Sequence, residues 1–548
     1  MQIIIPMSGM GERFLDAGYV EPKSLIRVDG KPIVEHVVAL FPGESNFFFI
    51  CNARHLQCSN MRQILSSIAP KGRVFEIPTH HKGPVFAVSK ILDQINDDEE
   101  AIVNYCDFSK YWDYQDFIKH TRNRNADGAI SAYKGFHPHM LGTTNYAFIK
   151  EDKQWMLEIK EKQPFTDKRM QEYASDGTYY FKKGAYIKKY FKELMEKDIS
   201  VNGEYYVSMV YNLFKRDNLR VSIYEIQHML QWGTPEDLEE YVKWSDYFRR
   251  TMEPQIDIKP KHKSINLIPM AGRGKRFIDE GYANPKPLIE ISGKPMVIQA
   301  VCRMPKSEKK IFVCLKEHLE KYVLEQKIKE VYPDAEIKAI TTLTSGQART
   351  CEIGLKNEDL DSSLLIWSCD NSPLWDKEKY RHLTDNAYTD AIVWSFRHCL
   401  SGKRNPCMYG WIKVDNNDNV AGVSVKKTIS DNPYNDHAIV GNFYFKKAEY
   451  FIRALKNIYK KDIRINNEFY VDSCINELVE MGLTVRVFEV ENYVSWGTPD
   501  EVRTYEYWQS FFHKCDWHEY AVERDPMLDS DKVDEYIRGS RLFKQKYM

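Results

Sequence analysis

The chain has 548 residues, too many for one core; at about 150 residues per domain it should divide into roughly two to four domains. Its 77 basic and 78 acidic residues nearly cancel, which argues against a nucleic-acid scaffold or a binder of anionic membranes, since both need a basic surplus. No apolar run reaches the roughly 18 residues of a membrane helix, and the eleven cysteines contain no C-x-x-C pair, so neither a zinc site nor a disulfide framework is indicated. The N-terminus runs straight into a strand-like segment with no basic region before it, so no secretory leader is expected and a reducing cytoplasm is the expected location.

The first element is the run QIIIPM at 2–7, short, apolar and closed by turn residues, which predicts a buried strand. A glycine-rich loop follows, with Gly9, Gly11 and Arg13, and then Pro22-Lys23 and a Gly-Lys-Pro turn. Glycines let the backbone approach a ligand and take positive φ, which turns a row of N–H groups toward an anion above the strand end. An ordinary tight turn explains one such loop. The pattern, however, occurs twice: residues 265–297 repeat it with Gly272, Gly274, Arg276 and Lys286.

Further along the first copy, NFFFIC at 46–51, RVFEIP at 73–78 and AIVNYCD at 101–107 read as strands, with helical stretches between them. Gly9 and Gly272, Lys23 and Lys286, Gly83 and Gly346, and Asp107 and Asp370 are each 263 positions apart. Glu204 and Glu468, and Trp232 and Trp496, are 264 apart. A constant offset over that length means a duplicated domain rather than a solenoid. Strands alternating with helices predict an α/β layer with a mostly parallel sheet, whose ligands sit at the carboxyl ends of the strands. The expected organisation is a first domain at 1–251, a linker at 252–263, a second domain at 264–514 and a charged helical extension at 515–548. Each unit closes on Trp-Gly-Thr-Pro, where threonine should cap a helix with proline in its first turn.

A strand followed by G-x-G-x-R, then P-K and G-K-P, resembles the opening of the sugar-phosphate nucleotidyltransferases (pyrophosphorylases) and the LicC-like cytidylyltransferases. It is neither a Walker loop nor a G-x-G-x-x-G dinucleotide loop. The resemblance implies two tandem Rossmann-like domains of the nucleotide-diphospho-sugar-transferase (GT-A-like) fold, each a mostly parallel mixed sheet flanked by helices. It implies transfer of an NMP from a nucleoside triphosphate to a sugar 1-phosphate or similar phosphorylated acceptor, with release of pyrophosphate and a role in surface-polysaccharide precursors. CTP is favoured over UTP and dTTP. By the same resemblance Arg13, Lys23, Arg276 and Lys286 are catalytic, and Gly9, Gly11, Gly83, Gly272, Gly274, Gly346 and Gln347 bind the nucleotide. Asp107 and Asp370 hold Mg2+, a hard cation that favours carboxylate oxygen.

The acceptor is assigned to the E-K motif and the G-x-Y-x-F strand after it: Glu161, Lys162 and Gly177 in the first unit, and Lys426 or Lys427 with Gly441 in the second. Both units depart from the family where a second metal carboxylate is common, because Gly233 and Gly497 stand there; Glu204 and Glu468 are the candidates for a replacement. His80 and His81, without counterparts in the second unit, are expected on the surface. No nucleic-acid or membrane partner is expected; members of the family often self-associate, and the resemblance leaves open a homo-oligomer or a contact of that kind internalised by the fused pair. Two other readings stay open. One repeat could be a non-catalytic binding module; or the chain could be a GT-A glycosyltransferase, although its tripeptides Asp107-Phe108-Ser109 and Asp370-Asn371-Ser372 lack the D-x-D of such enzymes.

Overall fold

The structure, a computed structural model, describes residues 1–142, 144–253, 260, 262–528 and 530–539. The chain forms two compact units, one comprising Met1–Ser245 with Ser510–Glu519, the other Asp246–Gln509 with the described residues from Tyr520 to 539. The division runs within the helices Pro235–Thr251 and Pro499–Lys514. Both helices begin as the sequence predicts, with Asp237 N donating to Thr234 Oγ1 at 3.2 Å and Glu501 N to Thr498 Oγ1 at 3.3 Å. Much of the expected linker and the end of the expected extension lie outside the described residues; the extension's described part holds the helix Val533–Gly539.

The first unit is built on a nine-stranded mixed sheet. Four strands run parallel in the order Arg73–Ile77, Asn46–Asn52, Gln2–Met7, Ala101–Asn104. Ile3, Ile4 and Ile5 are fully buried because helices cover both faces of such strands, and the run is accordingly apolar without alternation. Tyr173–Phe181 then pairs antiparallel with Ala101–Asn104 and Gly128–Tyr133, and the sheet ends in the hairpin Ala147–Asp152/Trp155–Glu161. The antiparallel share is larger than the strand–helix alternation suggests.

The second unit repeats this order. Glu336–Ile340, Lys309–Leu315, Ser264–Met270 and Ser363–Ile366 are parallel, and His437–Phe445 runs antiparallel beside them. The hairpin Gly410–Val414/Val420–Val425 lies against it. Apolar cores line the sheet; in the second unit one gathers Leu267, Val313 and Phe443, and another Ile268, Phe312 and Trp394. Gly177 and Gly441 sit in matching bulges of the long antiparallel strands at φ 103° and 98°, conformations that glycine alone adopts without strain.

Candidate functional site

In the first unit the strand Gln2–Met7 ends at the glycine loop, and Gly11 takes φ 70° to start the helix Glu12–Asp16. Lys23 enters from the short 3-10 turn Lys23–Leu25, and Asp107 follows the strand Ala101–Asn104 by three residues. The glycines leave room for the lysines: a Cβ on Gly11 would lie 3.5 Å from Lys23 Cβ, and one on Gly274 only 2.8 Å from Lys286 Cβ. A cleft of about 400 Å³ brings together Gly11, Arg13, Lys23, Asp107, Lys162 and Glu204, with Gly9 and Gly83 on its wall. Residues spread over two hundred positions of sequence thus converge at the carboxyl edge of the parallel strands.

Lys23 Nζ donates to Asp107 Oδ2 at 2.6 Å and to the Gly233 carbonyl at 3.1 Å. The second unit reproduces the pair: Lys286 donates to Asp370, which also accepts from Ser368 Oγ. Burial would lower the Lys286 ammonium and raise the Asp370 carboxyl, but each outweighs burial for the other. Lys286 is therefore raised and Asp370 lowered, so both stay charged.

Gly83 and Gly346 have positive φ, 78° and 119°, and each lies against another segment of its own unit. A Cβ on Gly83 would stand 2.9 Å from Tyr205 N and O; one on Gly346 would stand 2.5 Å from Phe469 O. Val85 N donates to Tyr205 O and Ala348 N to Phe469 O, both at 3.1 Å. Close crossing of two backbones accounts for these glycines; it carries Glu204 to the cleft and sets Glu468 beside Gly346. Gln347, next to Gly346, opens the helix Gln347–Gly354. Glu204 is held by Tyr206 Oη, which in turn accepts from Lys162 Nζ at 2.7 Å.

Lys162 and Lys426 share left-handed φ values of 58° and 60°, while Lys427 is exposed. Arg13 lines the first-unit cleft; burial raises the pKa of Tyr206 and of Tyr470, and the charge of Arg13 in the one case and Arg276 in the other opposes it. Glu161 Oε2 accepts from Ser208 Oγ at 2.6 Å, and burial raises its carboxyl to about 7.

Two groups escaped the sequence reading. His80 is half-buried rather than on the surface, with Nε2 2.9 Å from Ser8 Oγ, and it lines the cleft together with the exposed His81. Asn52 Nδ2 donates to the Ser8 carbonyl at 3.0 Å, so a polar brace fixes the first glycine loop. At the matching positions the second unit has Leu315 and Ala271. The other group is Glu501. Asp370 Oδ2 and Glu501 Oε2 lie 3.4 and 3.3 Å from where a Cβ on Gly497 would be. Burial, and then the Asp370 charge, raise the Glu501 carboxyl. Its first-unit counterpart, Asp237, is one methylene shorter and accepts from Thr234 Oγ1 at 2.7 Å. Glu501 reads in sequence as part of a helix-capping box, which hid it.

Among the described residues no three His, Cys, Asp or Glu side chains cluster tightly enough to hold a metal by themselves. The donor set nonetheless suits a cation that takes most of its ligands from phosphates and water: one carboxylate in the first unit, and two hard oxygen donors beside Gly497 in the second.

Residues 2–246 match the family model described as Nucleotidyl transferase. The chain is 25% identical over 239 residues to the bifunctional protein GlmU of Campylobacter concisus (strain 13826), a match covering 43% of this chain and 50% of that protein. The chain thus spans about half the length of the curated relative it matches. Among solved structures, the nucleoside-diphosphate-sugar pyrophosphorylase from Vibrio cholerae RC9 aligns at 22% identity over 44% of this chain and 99% of its own, with a TM-score of 0.38. The inositol-1-phosphate CTP transferase from T. maritima aligns at 12% identity over 45% and 96%, with a TM-score of 0.36. The first repeat, residues 2–246, is thus the part of the chain that is similar to the nucleotidyl transferase family.

Proposed function

We propose that the chain is a tandem nucleotidyltransferase, with GT-A-like domains at 1–251 and 264–514, that transfers an NMP from a nucleoside triphosphate to a sugar 1-phosphate or similar phosphorylated acceptor. The observation that carries this reading is the lysine–aspartate pair beneath a glycine loop, formed in both units from the same positions. Such a pair stores a cation and a hard oxygen donor where a triphosphate needs both. CTP is the favoured donor and activated precursors of surface polysaccharide the favoured product. Eleven free cysteines suit a reducing cytoplasm.

The acceptor's phosphate oxygen attacks the α-phosphorus in line and pyrophosphate leaves, so no enzyme nucleophile is needed. Positioning and charge stabilisation supply the rate. Arg13 and Arg276, with the loop amides around Gly9, Gly11, Gly272 and Gly274, hold the departing phosphates. Lys23 and Lys286 stabilise charge gathering at the α-phosphate. Lys162 and Lys426 face the acceptor phosphate. Asp107 and Asp370, the latter beside Glu501, would hold Mg2+, which when bound neutralises phosphate charge and orients the leaving group.

Pyrophosphate release, followed with magnesium across CTP, UTP, dTTP, ATP and GTP and a pool of sugar 1-phosphates and phospho-alcohols, tests the reading. Release that needs both one triphosphate and the pool is the expected result. No release from any combination overturns it.

A further inference from the structure

Three positions around the cleft lysine change together between the two units. In the first, Ala147 pairs with Glu161 across the hairpin, and Glu161 Oε2 accepts from Ser208 Oγ, on the facing helix Val207–Arg216, at 2.6 Å. In the second, Gly410 pairs with Val425 across the equivalent hairpin, and the facing helix Val471–Glu480 presents Asp472, 264 positions after Ser208. The carboxylate of the strand has become valine, the hydroxyl of the helix has become a carboxylate, and alanine has become glycine. The glycine is required: a Cβ on Gly410 would lie 2.4 Å from Asp472 Oδ2. The exchange moves a carboxylate from strand to helix and clears the space it needs.

We propose that Asp472 supplies the acceptor-binding carboxylate of the second unit, taking hydroxyl hydrogens of a polyhydroxylated phosphate ester whose phosphate faces Lys426. This rests on the nucleotidyltransferase reading above. Asp472 is half-buried, and among the described residues its carboxylate has no side-chain hydrogen-bond partner or ion pair, whereas Glu161 has Ser208. Lys426, whose charge acts on Asp472, is directed to the Met408 carbonyl. A half-buried carboxylate that among the described residues is met only by its own backbone N–H keeps most of its acceptor capacity open to a ligand. Neither hydrophobic packing nor a structural ion pair accounts for it. Because Asp472 approaches from the helix and has a shorter side chain than Glu161, it meets a different hydroxyl of a bound sugar or polyol, and the two units then select different acceptors.

The test uses the full chain carrying Lys23→Ala, so that turnover reports the second unit, with pyrophosphate release measured over a panel of sugar 1-phosphates and polyol phosphates. Asp472→Asn should raise the acceptor KM roughly 10- to 100-fold, the scale of a hydrogen bond to a charged group, while kcat and the triphosphate KM stay within about threefold. Gly410→Ala, which pushes a methyl group into the carboxylate, should act in the same direction and serves if Asp472→Asn does not fold. The triple change Gly410→Ala, Val425→Glu, Asp472→Ser should restore acceptor binding with the preference of the first unit. An acceptor KM indifferent to Asp472→Asn and Gly410→Ala, or one raised equally with the triphosphate KM, overturns the assignment of Asp472 alone. Absence of pyrophosphate release from the Lys23→Ala chain with every pair overturns the catalytic reading of the second unit, and this inference with it.

Discussion

Lys23 Nζ donates to Asp107 Oδ2 at 2.6 Å, so the cation and the carboxylate at the mouth of the first cleft neutralise each other before any phosphate arrives. Neither side chain is fully buried, at 20% and 32% exposure, and a triphosphate can therefore compete for the lysine while freeing the aspartate for a cation. Removing a preorganised charge contact of this kind costs about a hundredfold or more in turnover. Adding Lys286→Ala to a Lys23→Ala chain, or Lys23→Ala to a Lys286→Ala chain, should cut the activity of the single variant to that extent. Wild-type pyrophosphate release from the double variant removes the lysines from the chemistry.

The two units should differ in how they hold a divalent cation. Glu501 and Asp237 each accept from the hydroxyl of their capping threonine, at 3.1 and 2.7 Å, but the longer Glu501 also lies beside Asp370. Titrating Mn2+ into the chain and following its electron paramagnetic resonance signal, with a non-hydrolysable triphosphate present, should show two classes of site. Glu501→Gln is expected to weaken the second unit's class about tenfold and Asp237→Asn to leave both classes nearly unchanged. Equal effects of the two substitutions would remove Glu501 from the metal site.

The duplication, the strand ends and the lysine–aspartate positions were legible in the sequence because they repeat in register, and identical spacing survives changes of neighbouring residues. The edge of the cleft was not. Glu501 satisfied a local capping pattern, and nothing in one dimension shows that a glutamate at that turn reaches the aspartate of another strand. Asp472 was hidden for the opposite reason: the E-K motif had vanished from the second unit, and only the facing helix shows where its carboxylate went. Gly83 and Gly346 read equally well as ligand-approaching or backbone-crossing glycines until the neighbouring chain segments were in place.

Glu161 should make acceptor binding pH-dependent. Burial raises its carboxyl from 4.5 to about 7, against Ser208 and Lys162, which lower it, and with Glu204, which raises it further. Asp472 is raised by burial to about 6, with Lys426 opposing. A carboxylate accepts hydroxyl hydrogens when ionised, so the acceptor KM should fall as pH rises through about 7 in the first unit and about 6 in the second. The stability effect has the opposite sign: between the unfolded value and the folded one, the folded chain binds more protons. The contribution of Glu161 is present below about 4.5 and is lost as pH rises through about 7. Glu161→Gln should flatten both profiles; an unchanged acceptor profile in that variant removes Glu161 as its source.

The first unit holds a buried ion pair whose corresponding positions in the second unit carry no charge. Lys110 Nζ donates to Asp176 Oδ2 at 2.8 Å, to Thr178 Oγ1 at 2.7 Å and to Ser131 Oγ at 3.1 Å, and both charged side chains are fully buried. All three ammonium hydrogens are used, which is the condition under which a buried lysine is tolerated. The second unit has Pro373 and Val440 at the corresponding positions, so the fold itself does not need the pair. Breaking it from one side should be costly, about 3 to 5 kcal/mol, because the remaining charge is left buried and uncompensated. Lys110→Met and Asp176→Val, each measured by denaturant unfolding of the full chain, should show losses of that size in the transition of the first unit. The double variant should lose much less than the two single losses combined, since replacing a buried pair with apolar side chains of similar volume is often neutral. Additive losses would mean that the lysine and the aspartate act separately, and that the pair is not what holds this part of the sheet.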